Sequence, residues 1–471
     1  MKKLTILLGL FFGVVTISPL AAQVYLSYEE SLNLLDCGNK SLIIADKEIE
    51  IAEIEYKKIR SFWFPQIQST GVFTQMSSPI EVIEPLSQFT IPTQEYIQSI
   101  FPDDELVAAI LDDIGQYSFV VPLMPQNIAS IDLLAEWVVF SGGERMIASR
   151  IAKSMIDLAQ TNKKKIIADQ QNQLVQTYYG LRLMQQIIEV REEAYRDLTL
   201  HYQNALKLEA VGMIDKAARL YAQVNMLEAQ RAFEAAQKNE IVTQNALKTL
   251  LNQKDSLENI IPTSPLFIVD SVPAKTYFIQ NVNKANYFLH QLKLQQNIAR
   301  HEIQLSCSEY FPEIELFGKQ TLYSYGIESN LVPRGIVGVG FTWNIFDGLS
   351  REKKIKQFKL TEHMLQLEQN KAQDEFGVAV NKLYSQLQNV LDNVSTLNLA
   401  IELSDELCRI RKKAFIEGMA TTVELIDAEN ILANVKVDLL TQYYEFDMIL
   451  MNLLTLCGIP EQFSDYQTKS Y

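Results

Sequence analysis

The feature that most constrains this chain is that it repeats itself. "EWVVFSGGER" from Glu136 and "TWNIFDGLSR" from Thr342 set Trp137, Phe140, Gly142 and Arg145 over Trp343, Phe346, Gly348 and Arg351 at one offset of 206 residues. The same offset carries "AVGMIDKAARLYA" onto "IEGMATTVELIDA", and "ALKTLLN" onto "NLLTLCG". A gapless match over this distance means a duplicated unit, and what one unit can bury alone decides the architecture.

Bulk properties narrow the class. With 48% apolar and 21% charged residues the chain folds. Its 14 Pro and 18 Gly in 471 residues leave room for long uninterrupted helices. A net charge of −15 disfavours nucleic acid, whose phosphates require a basic surface. An acidic excess keeps a protein soluble or favours cations in a pore. Residues 1–22 read as a signal peptide, with Lys2 and Lys3 before an apolar run and "SPLAAQ" at the exit. No later stretch is long and apolar enough for a membrane helix. An exported chain is then periplasmic, secreted or a β-barrel. Cys37, Cys307, Cys408 and Cys457 match no zinc spacing and read as small buried residues.

Periodicity supplies the elements. Val380, Leu383, Leu387, Val390, Val394, Leu397, Ile401, Ser404 and Cys408 step by threes and fours, a coiled-coil seam. Helices are expected from about Gly348 to Glu417 and, in the first copy, from about Gly143 to Ala210, each about 100 Å long. Each ends at a glycine, Gly212 or Gly418, where the chain turns into a return helix about half as long. A shorter helix precedes each unit, near Tyr28–Arg60 and Ala274–Tyr310, closed by Pro65 or Pro312. The natural packing stacks preceding and return helices end to end beside the long one.

Strands fall between the preceding and long helices. Val337, Val339, Phe341, Trp343 and Ile345 alternate with small or polar residues, and Ile131, Leu133, Ala135, Trp137 and Val139 form the matching face in the first copy. That pattern suits a lipid-facing barrel strand, and equally a half-buried sheet in a soluble domain. Phe317 breaks the alternation in "PEIELFGKQTLYSY". Residues 77–130, with six prolines, are expected as an irregular loop. Four strands cannot close a barrel, so copies must assemble, and spacing alone allows two, three or more. Nothing reads as a catalytic, metal or cofactor site.

Together, Phe64-Pro65 and Phe311-Pro312 at the helix ends, the doubled W-x-x-F-x-G junction and the two glycine tips resemble the TolC-like outer-membrane efflux proteins over residues 28–458. The resemblance implies an α+β membrane protein: a long antiparallel α-helical coiled-coil barrel continuous with a transmembrane β-barrel, four strands from each protomer of a homotrimer. It implies an exit duct of a tripartite efflux or type I secretion system in the outer membrane, with its helical part in the periplasm. The partners are a periplasmic adaptor and an inner-membrane transporter of RND or ABC type, and no cofactor is implied. The organisation expected is a first repeat at 23–251, a linker at 252–275, a second repeat at 276–458 and a tail at 459–471.

The resemblance also assigns sites. Acidic positions six and nine residues after the second tip glycine, here Glu424 and Asp427, are implied to narrow the periplasmic entrance; the first repeat has Ala218 and Tyr221 instead. Read from spacing alone, both are ordinary solvated helix charges. Gly212, Met213, Ile214, Gly418, Met419 and Ala420 fall at the implied adaptor-docking tips. Trp137, Val139, Val339, Phe341 and Trp343 fall on the lipid side of the strands. The alternative is a soluble periplasmic coiled-coil adaptor or scaffold.

Overall fold

The structure, a computed structural model, describes residues 23–100, 105–253, 259–269, 271–326 and 333–469. The signal peptide expected at residues 1–22 lies outside the described residues, as do short parts of the 77–130 segment, the linker and the tail.

The first repeat comprises β1 (Gln23–Leu26), α1 (Tyr28–Gly38), α2 (Lys40–Ser61), β2 (Gln66–Gln75), β3 (Ile80–Pro85), α3 (Ser87–Ile100), α4 (Glu105–Gly115), β4 (Ser118–Met124), β5 (Asn127–Ser141), α5 (Glu144–Ala210) and α6 (Lys216–Leu250). The second comprises β6 (Asn259–Pro262), α7 (Lys275–Ala285), α8 (Tyr287–Ser308), β7 (Glu313–Tyr325), β8 (Gly335–Thr342), α9 (Ser350–Ile416) and α10 (Thr422–Cys457), and α11 (Phe463–Lys469) follows. From the strand-to-helix junction onward the repeats correspond at 206 residues, Glu144 to Ser350 and Ala210 to Ile416. Before it they correspond at 247, Tyr28 to Lys275 and Ser61 to Ser308. The two offsets differ by 41 residues, the extra length the first repeat carries between its strands.

That extra length is not an irregular loop. It holds an antiparallel hairpin, β3 with β4, carrying the helices α3 and α4. Three of the prolines sit where an amide hydrogen is dispensable. Pro79 precedes β3, Pro85 ends it, and Pro122 lies beside a register shift. Pro92 stands inside α3.

The chain divides into two compact units. The first holds the described residues up to Ala52, Ser154–Asn297 and those from Glu362 onward. Its core packs the long helices against the short ones. The sequence-derived seam is buried at Val380, Leu387, Val390, Val394 and Ser404, with Cys408 half-buried. An aromatic cluster of Tyr28, Tyr178, Tyr179, Phe267 and Phe463 meets mostly edge to face. The Tyr178 hydroxyl donates to Leu26 O and accepts from Ser264 N, which ties this cluster to the parallel pair β1–β6.

Each preceding helix is broken in two, which the periodicity did not anticipate. The breaks are at Asn39 and Asn286, equivalent under the 247 offset. Asn39 Oδ1 accepts from Ser41 N, while its Nδ2 donates to Gln170 Oε1 and Leu250 O. Asn286 Oδ1 accepts from Leu289 N, and its Nδ2 donates to Leu456 O. Each asparagine thus starts one helix and caps the last carbonyls of the return helix. Only α2 or α8, 22 residues each, stands end to end with a return helix. The four cysteines are free, and Cys37 and Cys307 are exposed rather than buried.

The second unit holds Glu53–Lys153 and Ile298–Thr361. Its four-stranded sheet is antiparallel, in the order β2-β5-β7-β8. One face carries Ile67, Phe73, Leu133, Trp137, Leu316, Val339 and Phe341, several largely exposed. The other face carries Asp132, Lys319 and Thr321, with Asp132 accepting from both. Phe317 belongs to this polar face. It lies over Gly338, where a Cβ would meet its ring at 2.5 Å, so the missing side chain makes its room. Trp343 falls just beyond β8, and Val139 is the bulged residue between Val138 and Phe140.

Candidate functional site

Two regions carry the duplicated motifs. In the second unit the W-x-x-F-x-G-x-x-R pattern is a clasp. Trp137 Nε1 donates to Trp63 O at 3.0 Å, and the Arg145 guanidinium lies 5.4 Å from the Trp63 ring. In the other repeat Trp343 Nε1 donates to Tyr310 O at 3.1 Å, and Arg351 lies 4.6 Å from the Tyr310 ring. Trp63 and Tyr310 each precede a Phe-Pro. The tryptophan satisfies a carbonyl at the end of the preceding helix, and the arginine stacks on the aromatic ring there. Arg351 is better held, donating to Asp347 Oδ2, Glu309 O and Ile345 O. The residues assigned to the lipid side, Trp137, Val139, Val339, Phe341 and Trp343, are all exposed.

In the first unit the two glycine turns form the tip. Gly212 and Gly418 have φ of +76° and +72°, which a side chain would strain. Met213 N donates to Leu208 O and Met419 N to Ala414 O, the six-to-one bond that closes a helix end. Asp215 caps α6, and Thr421 caps α10. Met213 and Met419 are 73% and 72% exposed, too open for a simple helix–turn contact. Ile214, Ala420, Leu208, Phe415, Ile416 and Val423 line a groove of about 800 Å³ between the turns. Beneath it, Leu198, Ala205, Ala222 and Ile426 make a small closed core.

Around that core, polar bonds cross between helices. Tyr221 OH donates to Asp427 Oδ1 at 2.5 Å. Asn430 Nδ2 donates to Asn225 Oδ1 at 2.9 Å. His201 Nε2 lies 3.0 Å from Glu429 Oε1, both side chains nearly buried. Arg219 Nε donates to Glu209 Oε2 in one repeat, and Arg411 to Glu424 Oε1 in the other. Glu424 is also the third residue of a capping box, accepting from Thr421 N. Those bonds, the Thr421 amide first, hold its carboxyl below the usual range, and Asp427 pushes the Tyr221 hydroxyl above its own. Both acids expected at the entrance therefore already have partners within the chain. The sequence pattern alone did not reveal Tyr221 as the partner of Asp427. The clue was present: the two are 206 residues apart, and α6 and α10 both start at a tip turn, so equivalent residues lie side by side.

Among the described residues no group of three or more His, Cys, Asp or Glu is placed to hold a metal ion, and no helix is long and apolar enough to cross a membrane. A family model described as outer membrane efflux protein matches residues 278–458. No curated protein matches the chain. Among solved structures, CusC is similar at 14% identity and a TM-score of 0.71, with 92% of each chain covered. The outer membrane protein VceC of Vibrio cholerae is similar at 13% identity and 0.70, covering 92% of this chain and 96% of that one. The CmeC outer membrane channel of Campylobacter jejuni is similar at 13% and 0.70, covering 94% and 90%. At these identities the likeness is one of fold, and it spans both repeats. The second repeat thus matches the outer membrane efflux protein model, and the two repeats together share the fold of these solved structures.

Proposed function

We propose that copies of this chain close a β-barrel in the outer membrane and act as the passive exit duct of an efflux or type I secretion system. The observation that carries this reading is the four-stranded sheet, apolar on one face and with β2 and β8 left as open edges. Unpaired backbone groups in lipid cost several kcal/mol each, so such a sheet is compatible with a bilayer only when its edges meet other copies. A homotrimer brings twelve strands together, with Trp137, Val139, Val339, Phe341 and Trp343 toward lipid and the Asp132–Lys319 face toward the lumen. The helices stand on the periplasmic side.

A second seam on α9 favours assembly as well. Leu360, Met364 and Leu367, then Leu399, Leu403, Leu407 and Ile410, are exposed at coiled-coil spacing, away from the buried internal seam. The tip residues Gly212, Met213, Ile214, Gly418, Met419 and Ala420 receive a periplasmic adaptor, which links the duct to an inner-membrane transporter. Glu424 and Asp427 line the narrowed entrance, and opening breaks their bonds to Arg411 and Tyr221. The repeats act as units 23–251 and 276–458, joined by residues 252–275.

The test is conductance of the purified protein in a planar bilayer. Discrete channels that prefer cations are expected. A stable, water-soluble monomer without conductance would remove the duct and leave the periplasmic scaffold as the reading.

A further inference from the structure

The clasp is duplicated in shape but not in charge. In the second repeat its cations are neutralised on the spot. Arg351 Nε donates to Asp347 Oδ2 at 3.1 Å, and Lys354 Nζ lies 2.5 Å from Glu309 Oε1. Tyr310 OH donates to Glu352 Oε1. The equivalents of Asp347 and Glu352 at the 206 offset are Ser141 and Met146, and that of Glu309 at the 247 offset is Phe62. The first repeat therefore has none of the three carboxylates. It keeps cations at Arg145 and Arg150, the equivalents of Arg351 and Lys356, and adds Arg60 where the second repeat has Cys307.

These differences surround a cavity of about 540 Å³. Tyr56 and Arg60 of α2, Trp63 and Phe64 just after it, and Met146 and Arg150 of α5 line it. Among the described residues neither Arg60 nor Arg150 has a carboxylate within ion-pair distance; Arg60 lies 5.9 Å from the Tyr56 ring. Arg145 stands on the Trp63 ring, and its Nη2 is closed off without a hydrogen-bond partner. Glu144 acts on Arg145 only from beyond ion-pair distance. Guanidinium groups gathered at one hollow without acids repel each other, and an entering anion relieves that cost. We propose that Arg60 and Arg150, with Arg145 on the Trp63 ring, hold the phosphate group of a membrane phospholipid. This rests on the proposed membrane reading and adds a lipid partner to it.

Three observations favour that ligand. The first is the choice of cation. Both charges lining the cavity are arginine, whose planar fork meets two phosphate oxygens at once. The second is place. The cavity lies where α2 gives way to β2, at the boundary between helices and sheet. Trp137, on the apolar face of the sheet, donates to Trp63 O, so the cavity adjoins the foot of that face. Lipid headgroups and aromatic girdles share that level in a barrel protein. The third is the wall. A phosphate group occupies only part of the volume, and Tyr56, Trp63, Phe64 and Met146 face the remainder. Apolar and aromatic walls around a few charged groups suit a phosphate that carries glycerol and acyl carbons.

Lipid binding by the full chain, delipidated in detergent and followed by native mass spectrometry, tests the site. The probes are phosphatidylglycerol, a diacylglycerol with the same acyl chains, and inorganic phosphate. Arg60→Gln with Arg150→Gln removes the two lining charges. Lys353→Gln with Lys356→Gln removes equal charge from the start of α9, Lys356 being the equivalent of Arg150, and serves as the control. Phosphatidylglycerol is expected to bind about tenfold more tightly than the diacylglycerol and to lose about that factor in the arginine variant. The lysine variant is expected to change binding by less than about twofold. Arg60→Lys with Arg150→Lys is expected to recover part of the loss, which a misfolded chain would not. Equal binding of the two lipids, or equal losses in the arginine and lysine variants, overturns the site. Displacement of the lipid by an equal concentration of inorganic phosphate assigns the site to the free ion and overturns the lipid. A protein that conducts in a planar bilayer yet gives any of these results loses this inference alone. A water-soluble monomer without conductance loses it together with the proposed function.

Discussion

Replacing Tyr221 by Phe removes one hydroxyl and leaves the ring in place. The hydroxyl donates to the Asp427 carboxylate at 2.5 Å, linking α6 to α10 beside the tip turns. A hydrogen bond to a charged group contributes about 1.5–3 kcal/mol in a protected site. Here both side chains are partly open to water, so screening reduces this to about 1 kcal/mol per chain. In the proposed homotrimer, three chains opening together would lose about 3 kcal/mol of closed-state preference, roughly a hundredfold in the open-to-closed ratio. Single-channel recording reads that ratio directly. Asp427→Asn tests the same link from the other side, and the double variant should add little to either single change. The pH dependence has a definite sign. Asp427 raises the Tyr221 pKa above 10.0, so the link is intact at neutral pH and is lost as pH climbs through the raised value. Additive effects in the double variant, or a Tyr221→Phe channel as closed as the parent, would refute the reasoning.

Asp447 is wholly buried, and burial raises its pKa well above 3.8 while the Phe267 amide opposes the shift only in part. Its carboxyl is therefore a cost that grows as pH rises from the unfolded value toward the folded one. Asp447→Asn should raise thermal stability at pH 7 and flatten that pH dependence, as a melting series at several pH values would show. Gly142→Ala should destabilise the isolated chain by about 2 kcal/mol or more, from the positive φ and the Ser308 carbonyl together, in a denaturant titration. Gly348→Ala should cost only the φ strain, about 1 kcal/mol, in the same titration. Asn39→Ala and Asn286→Ala should each cost about 1 kcal/mol, read in the same titration, through a lost cap.

What the sequence disclosed and what it hid have separable causes. The long helices and their turns were legible because Gly212 and Gly418 punctuate an uninterrupted heptad pattern, and the buried seam from Val380 to Ser404 follows from spacing alone. The breaks at Asn39 and Asn286 were hidden because asparagine there bonds the end of a helix hundreds of residues away. Phe317 looked like a fault in the alternation, and only the cross-strand glycine at 338 explains it. At the tip, Glu424 and Asp427 were legible as positions. Their partners Arg411 and Tyr221 were not, since those bonds depend on how neighbouring helices are rotated. The secondary structure of 80–124 was hidden by its prolines, of which Pro85 ends a strand, Pro122 lies beside a register shift and Pro92 stands inside α3.

The equal lengths of α5 and α9, 67 residues each, limit how such a protein can change. Removing seven residues from one of them would draw its turn back by about 10 Å and slide Tyr221 and Asn225 away from Asp427 and Asn430. Removing the same seven from both would shift every partner together. Viable shortening or lengthening of the long helices must therefore arise as a matched double event, whereas the 41-residue difference between the strands is free to vary in one copy. Paired and unpaired heptad deletions, compared for assembly, would separate these two kinds of evolutionary freedom.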